Sequence, residues 1–365
     1  MISSLQRLLS LFCTSTKRLW LFLWRRFVTP RKTFSLETWR STCATQDART
    51  EHWQAYAPFF ESKGYRLWKI GRHSHFPPDD KPRAPDGFSY ENEYGANSSH
   101  LYSDTWHPFN YPARTRDSRD VLIVLLSDGV VGPNCVDALR EMATGKNAGI
   151  DRNHTLPMLQ EIHHDNLVFG VFPLVGSWFA PQWFPDIEHF LEAASQIMEG
   201  VAFLHDHLVV HRDLFTSNFL SSRRNADWDP DKGHDFLRPR YYIIDFEWAI
   251  RFLPDSDPET RTVTGPPLPW DIYRRPVPPE MKSELPYCPF KSDVWQLGKA
   301  FGKWLEYIDC IPDVVQLLQE MRAVDANERP SAREAVTRLN KLRSELPSHV
   351  LHSPIERNCD YDDLV

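Results

Sequence analysis

Apolar positions along this chain follow two rhythms, one helical and one extended. Ile187, Phe190, Leu191, Ala194, Ile197, Met198, Val201 and Leu204 recur at i, i+3, i+4 spacing. They predict a helix of about five turns whose apolar stripe is core rather than chemistry. Short unbroken apolar runs, Asp120 to Leu126, Leu167 to Val175, Leu208 to Val210 and Tyr241 to Ile244, predict buried strands. Between the first two, Val136, Leu139 and Met142 keep helical spacing. From Glu37 to Arg119 no rhythm persists. That stretch is rich in Trp, Tyr, His and Pro and is punctuated by Phe76-Pro77-Pro78 and Lys81-Pro82-Arg83-Ala84-Pro85. It reads either as an irregular extension packed by its aromatics or as a partly disordered linker.

Charge divides the chain unevenly. Met1 to Ser35 holds seven Lys/Arg and no Asp or Glu, so removing its +7 from the formal −7 of the whole leaves −14 on the remainder. A nucleic-acid partner for the main body is therefore not expected. Within the basic segment Leu5, Leu8, Leu9 and Phe12 have helical spacing, and Leu19 to Trp24 is flanked by Lys17-Arg18 and Arg25-Arg26. The apolar run falls well short of the roughly 20 residues that span a bilayer. Three roles remain open for residues 1–35: peripheral contact with an anionic membrane, a mitochondrial-type transit peptide, or a solvated or docked extension. Cysteines 13, 43, 135, 288, 310 and 359 form no close pairs of the zinc or redox type. Reduced thiols and an intracellular, cytoplasmic setting are expected.

The candidate chemistry sits in Val209-Val210-His211-Arg212-Asp213-Leu214-Phe215-Thr216-Ser217-Asn218, where an Asp and an Asn stand five residues apart behind a short apolar strand. Phosphoryl transfer needs those groups from one rigid loop: a carboxylate to orient and deprotonate a hydroxyl, and an amide oxygen to hold a metal ion. Tyr241-Tyr242-Ile243-Ile244-Asp245-Phe246 offers a second metal-binding carboxylate. These residues outline an ATP and Mg²⁺ site.

Here the chain resembles the eukaryotic protein kinase superfamily, over most of residues 119 to 345, and looks like its large, diverged set of fungal kinase-like proteins. Pro278-Pro279-Glu280 looks like the Ala-Pro-Glu that closes an activation segment. Ser292-Asp293-Val294-Trp295-Gln296-Leu297-Gly298 looks like the start of the long central helix, and Asn327-Glu328-Arg329-Pro330-Ser331-Ala332 like the entry to the last helix. The set is specific because its members come in order. Small-molecule phosphotransferases share the Asp-x₄-Asn loop but not Glu280, Asp293 and Arg329. The resemblance implies an α+β, two-lobed kinase-like fold, with a small β-rich N-lobe and a larger, mainly helical C-lobe. It implies that Asp213 is the base, that Asn218 and Asp245 hold Mg²⁺, that Asp293 braces the loop, that Glu280 pairs with Arg329, and that His211 is structural. Leu167 to Val175 looks like the adenine-binding strand and hinge, with Phe172 as gatekeeper, the Pro173 carbonyl as acceptor and the Val175 amide as donor; a buried strand ending at a Pro-marked turn explains the same residues. Arg212, beside the base, would pair with Thr262 or Thr264 if either is phosphorylated. The competing reading of that loop, with eight prolines between Asp245 and Glu280, is a stiff connection without a switch.

Three parts of the family pattern are missing. Only Gly87 and Gly95 occur where a glycine-rich hairpin belongs. The strand Lys would fall at Val124, yet no Lys lies between Lys81 and Lys146. Phe215 replaces the catalytic-loop Lys. Arg114, Arg116, Arg119 and Arg140 are the substitute cations nearest in sequence, while Glu141, the acidic partner of the absent Lys, reads as a solvated carboxylate. Glu247 replaces a hinge glycine after Asp245-Phe246 and either adds a metal ligand or repels phosphates. Each lost preorganised group commonly costs on the order of 10²- to 10³-fold in rate. The expectation is weak ATP/Mg²⁺-dependent transfer to protein Ser/Thr hydroxyls, with a nucleotide-binding or protein-interaction pseudokinase as the alternative. The expected organisation is a basic segment 1–36, an aromatic and Pro-rich extension 37–118 contributing to the N-lobe, N-lobe and hinge 119–175, C-lobe 176–347, and an acidic tail 348–365. Residues 221–240 read as a surface insertion.

Overall fold

Three short helices open the described chain: α1 (Leu36–Thr42), α2 (Gln46–Ala55) and α3 (Ala57–Ser62). The computed structural model describes residues 34–70, 75–84, 107–175, 184–222, 239–269, 272–303, 308 and 310–355. The basic segment, Gly87, Gly95, most of the 221–240 insertion and most of the C-terminal tail lie outside them. Ser35 and Thr45 start α1 and α2 by accepting from the amides of Thr38 and Ala48, which satisfies donors that a helix's first turn leaves open.

Strands β1 (Tyr65–Leu67), β2 (Lys69–Ile70), β3 (His75–Phe76), β4 (Asn110–Thr115) and β5 (Asp120–Ser127) follow, then helix α4 (Pro133–Met142) and strands β6 (Gln160–His164) and β7 (Leu167–Pro173). β2 and β3 pair with each other, and the other five strands form one antiparallel sheet in the order β1-β4-β5-β7-β6. The sheet therefore draws two strands from the 37–118 stretch. Successive side chains alternate between faces. On β5, Val121, Ile123 and Leu125 enter a core with Trp39, Trp53, Phe60, Tyr111 and Phe169. Val124 and Leu126 face a second core with α4 and Phe172. Burial on both faces explains why β5 and β7 read as continuous apolar runs rather than as alternating ones. The described part of the stretch without rhythm thus supplies two of the sheet's strands and the aromatic cover of one sheet face. Trp39 and Trp53 pack edge to face at 5.2 Å, and both indole N–H groups donate to the Pro108 carbonyl, at 3.0 and 3.1 Å.

Beyond the sheet the chain is mainly helical. α5 (Ile187–Asp206) is followed by the short strands β8 (Val209–Val210), β9 (Phe219–Ser221), β10 (Tyr241–Ile243) and β11 (Ile250–Arg251), then α6 (Pro289–Gly302), α7 (Pro312–Glu320), α8 (Ala332–Glu345) and α9 (Ser348–Leu351). β8 pairs with β11, and β9 with β10, all antiparallel. The predicted stripe of α5 is buried and packs with α6, α7 and α8 in the larger core. Gly200 lets α5 approach β10 closely, because a Cβ there would stand 2.9 Å from Ile243 Cδ1 and 2.7 Å from His154 Cβ. That contact fixes the strand leading to Asp245. The whole is a mixed α+β fold with one five-stranded antiparallel sheet. Among the described residues, no helix is long and apolar enough to cross a membrane.

Candidate functional site

β8 delivers a loop that cannot hold itself, because Arg212 takes a left-handed backbone, φ 70°, which an L residue adopts only when its surroundings impose it. α6 imposes it. The fully buried Asp293 carboxylate accepts the amides of His211 and Arg212, each at 2.8 Å, and contacts His205 Nε2 at 3.1 Å. One turn along α6, Gln296 accepts from the Leu214 amide at 3.0 Å and donates to the Arg212 carbonyl at 3.0 Å. Gln296 was not singled out in the sequence; its i+3 spacing from Asp293 on one helix face was the available signal. His211 is buried, contacts the Ile244 carbonyl through Nε2 at 2.9 Å and packs its ring 4.8 Å from Phe246.

Asp213 and Asn218 meet directly. Asn218 Nδ2 donates to the Asp213 carbonyl and to its Oδ2, both at 2.8 Å. This turns the Asn218 Oδ1 away from Asp213, where Ser217 Oγ reaches it at 3.4 Å. The Asn218 carbonyl accepts the Ile244 amide at 2.9 Å, so a single backbone bond ties Asn218 to the residue before Asp245. Asp245 itself is exposed and left-handed, φ 65°. Asn218 Oδ1 and the Asp245 carboxylate are the oxygen donors on offer to a hard divalent ion. Among the described residues, no group of three or more His, Cys, Asp or Glu is placed to hold a metal ion.

Cations reach these carboxylates from outside the motif. Tyr273 Oη donates to Asp213 Oδ1 at 3.3 Å, and Arg275 Nε lies 3.6 Å from the same oxygen. Arg275 also donates to Ser217 Oγ at 2.7 Å and lies over the buried Phe215 ring, 5.3 Å from its centroid. Burial pushes the Asp213 carboxyl above its ordinary range and Asp245 adds to this, while Arg275 and His211 pull it down. Glu247 is pushed up to about 7 by burial and by Asp245, against the pull of Arg40 from α1, whose guanidinium lies 3.3 Å from Glu247 Oε1. Cys135 on α4 has its thiol pushed up by burial, with Asp245 and Glu247 contributing, which leaves it unreactive.

Three of the four nearest cations in sequence are committed elsewhere. Arg114 is buried against Asp120 and Asp79, Arg119 pairs with Asp117 and Arg140 with Glu161. Arg116 is exposed, beyond the end of β4. Glu141 is not solvated as expected but pairs with Arg251 on β11 at 2.7 Å, and Asn147 donates to it. Phe172 and Pro173 are the buried end of β7, in register with Leu122 and Val121, and Val175 follows, also buried. Glu280 and Arg329 meet through two parallel bonds of 2.5 and 2.8 Å, and the buried guanidinium also donates to the carbonyls of Ala323 and Lys291. Thr262 and Thr264 are exposed on either side of Val263, whose backbone pairs with Tyr287; the Tyr287 hydroxyl donates to the Gly265 carbonyl at 2.8 Å, and the buried Arg212 Nε has no hydrogen-bond partner among the described residues. Compared with known proteins, the chain matches no protein-family model and no curated protein.

Proposed function

We propose that the chain is an atypical protein kinase-like phosphotransferase that moves the γ-phosphoryl group of ATP to a protein hydroxyl. The observation that carries the reading is the joined set Asp213, Asn218 and Asp245: a buried carboxylate whose carboxyl is tuned upward, held by the Asn218 amide nitrogen, with the Asn218 amide oxygen and an exposed carboxylate as donors suited to Mg²⁺. A five-stranded sheet and a helical body that share a core through Val124, Phe172 and Val175 fit a two-lobed kinase-like arrangement. Bound Mg²⁺ would neutralise charge on the transferring phosphoryl group. Asp213 would orient the acceptor hydroxyl and take its proton; Asn218 would hold that carboxylate through Nδ2 and face the ion through Oδ1. Asp293 and Gln296 keep the loop in its left-handed turn. Arg275, resting on Phe215, would supply the positive charge that the loop's missing Lys cannot. Phe172, Pro173 and Val175 would frame the adenine.

A second reading, a pseudokinase that binds nucleotide or partners without transfer, is favoured by the two groups already seated on Asp213 Oδ1, Tyr273 and Arg275. Nucleotide binding with and without Mg²⁺, followed by phosphorylation assays of wild type and Asp213→Asn, separates the two. Metal-dependent binding with transfer lost in the variant supports the enzyme. Binding without transfer in wild type supports the pseudokinase, and no binding removes both nucleotide readings.

A further inference from the structure

The sheet lacks a lysine to grip phosphates, and its own arginines are committed. The cation that does reach the Asp245 region comes from α1. Arg40 contacts Glu247 at 3.3 Å, although the two residues are 207 positions apart in sequence. Its guanidinium lies over the Phe109 ring, 5.1 Å from the centroid, and its side chain is half exposed. The His107 ring packs edge to face on Phe109, with ring centroids 5.4 Å apart.

The backbone beneath Arg40 is fixed. The Leu36 amide donates to Asp128 Oδ2 at 2.8 Å, and Asn166 holds Phe34 from both sides, at 2.6 and 3.1 Å. Trp39, the residue before Arg40, anchors α1 in the aromatic core. Arg40 is thus an exposed fork on a pinned helix, aimed at the segment that carries Asp245. A polyanionic nucleotide entering there meets the carboxylates of Asp213, Asp245 and Glu247, so a fixed cation must offset them for phosphates to bind. Arginine suits the task because its planar donors match two phosphate oxygens at once.

We propose that Arg40 is the phosphate-binding cation of the nucleotide site, supplied by α1 in place of the absent strand lysine and exchanging Glu247 for nucleotide phosphate on binding. The inference rests on the nucleotide reading above.

The test uses the full-length protein as wild type, Arg40→Ala, Arg40→Gln and Arg40→Lys, titrated with a fluorescent ATP analogue in Mg²⁺ and displaced by ATP or by adenosine. Arg40→Ala and Arg40→Gln are expected to weaken ATP by about 10- to 100-fold and leave adenosine unchanged. Arg40→Lys is expected to recover part of the loss, keeping charge without the fork. Unchanged ATP affinity in both neutral variants, beside a wild type that binds, overturns the role of Arg40 and leaves the nucleotide reading intact. Equal losses for ATP and adenosine also overturn it, because phosphate recognition cannot weaken adenosine. A wild type that binds no nucleotide removes both inferences together.

Discussion

Arg275 stands 3.6 Å from Asp213 Oδ1 while its guanidinium lies over the ring of Phe215. Phe215 thereby provides a platform for an arginine from a later segment. Under the proposed reaction, Arg275→Ala should lower kcat by about 10- to 100-fold, less than for a fully buried group because the side chain is 40% exposed. Arg275→Lys should restore less than half of that loss in free energy, since lysine lacks the planar stacking surface. Steady-state kinetics on folded variants checks this; an Arg275→Ala enzyme with unchanged kcat would remove the residue from the chemistry.

The loop's conformation rests on two side chains of α6, and they should be separable. Asp293→Ala leaves the amides of His211 and Arg212 buried without a partner and lets the left-handed Arg212 relax. A loss on the order of 2–4 kcal/mol is expected. Gln296→Leu removes one acceptor and one donor at a buried position and should cost about 1–3 kcal/mol. Denaturant unfolding of the two single variants and the double variant measures both, and their shared loop predicts non-additive losses. Strict additivity would mean that the two braces act on different structure.

Glu280 and Arg329 form the other costly bond. Arg329 is fully buried and Glu280 partly so, so Glu280→Ala strands a guanidinium whose remaining partners are backbone carbonyls. One-sided removal is expected to destabilise by about 3–5 kcal/mol, whereas Glu280→Leu with Arg329→Met should cost clearly less. Chemical denaturation decides it: a double variant no more stable than Glu280→Ala would show that the pair contributes more than the charge it satisfies.

What the sequence revealed follows from how far each interaction reaches along the chain. β5, β7 and α5 were legible because each buries a repeating apolar pattern within one element. The loop from His211 to Asn218 was legible because its groups lie within a few residues of one another. α1, α2 and α3 were not, being seven, ten and six residues long, too short for a rhythm to declare itself. Side-chain caps hold α1 and α2, and aromatic packing holds all three. Arg40 on Glu247, Arg251 on Glu141 and Arg275 on Asp213 were equally hidden. Each joins residues far apart in sequence, and nothing in the local pattern of either partner names the other.

Asp186 gives a stability prediction independent of the proposed chemistry. It caps α5 by accepting the His189 amide at 3.0 Å, and it contacts His189 Nδ1 at 2.5 Å. Burial alone would raise its carboxyl, but the bonds to His189 outweigh this and hold it below the ordinary carboxylate value of 3.8. A depressed carboxyl stabilises the fold above its unfolded pKa, and that contribution fades as pH falls through the lower folded value. Asp186→Ala should therefore cost about 0.5–2 kcal/mol at pH 7, and the gap to wild type should narrow below pH ~4. Thermal unfolding of both proteins between pH 3 and pH 7 measures the gap. A gap that stays constant across this range would mean that the cap works through packing and not through its charge.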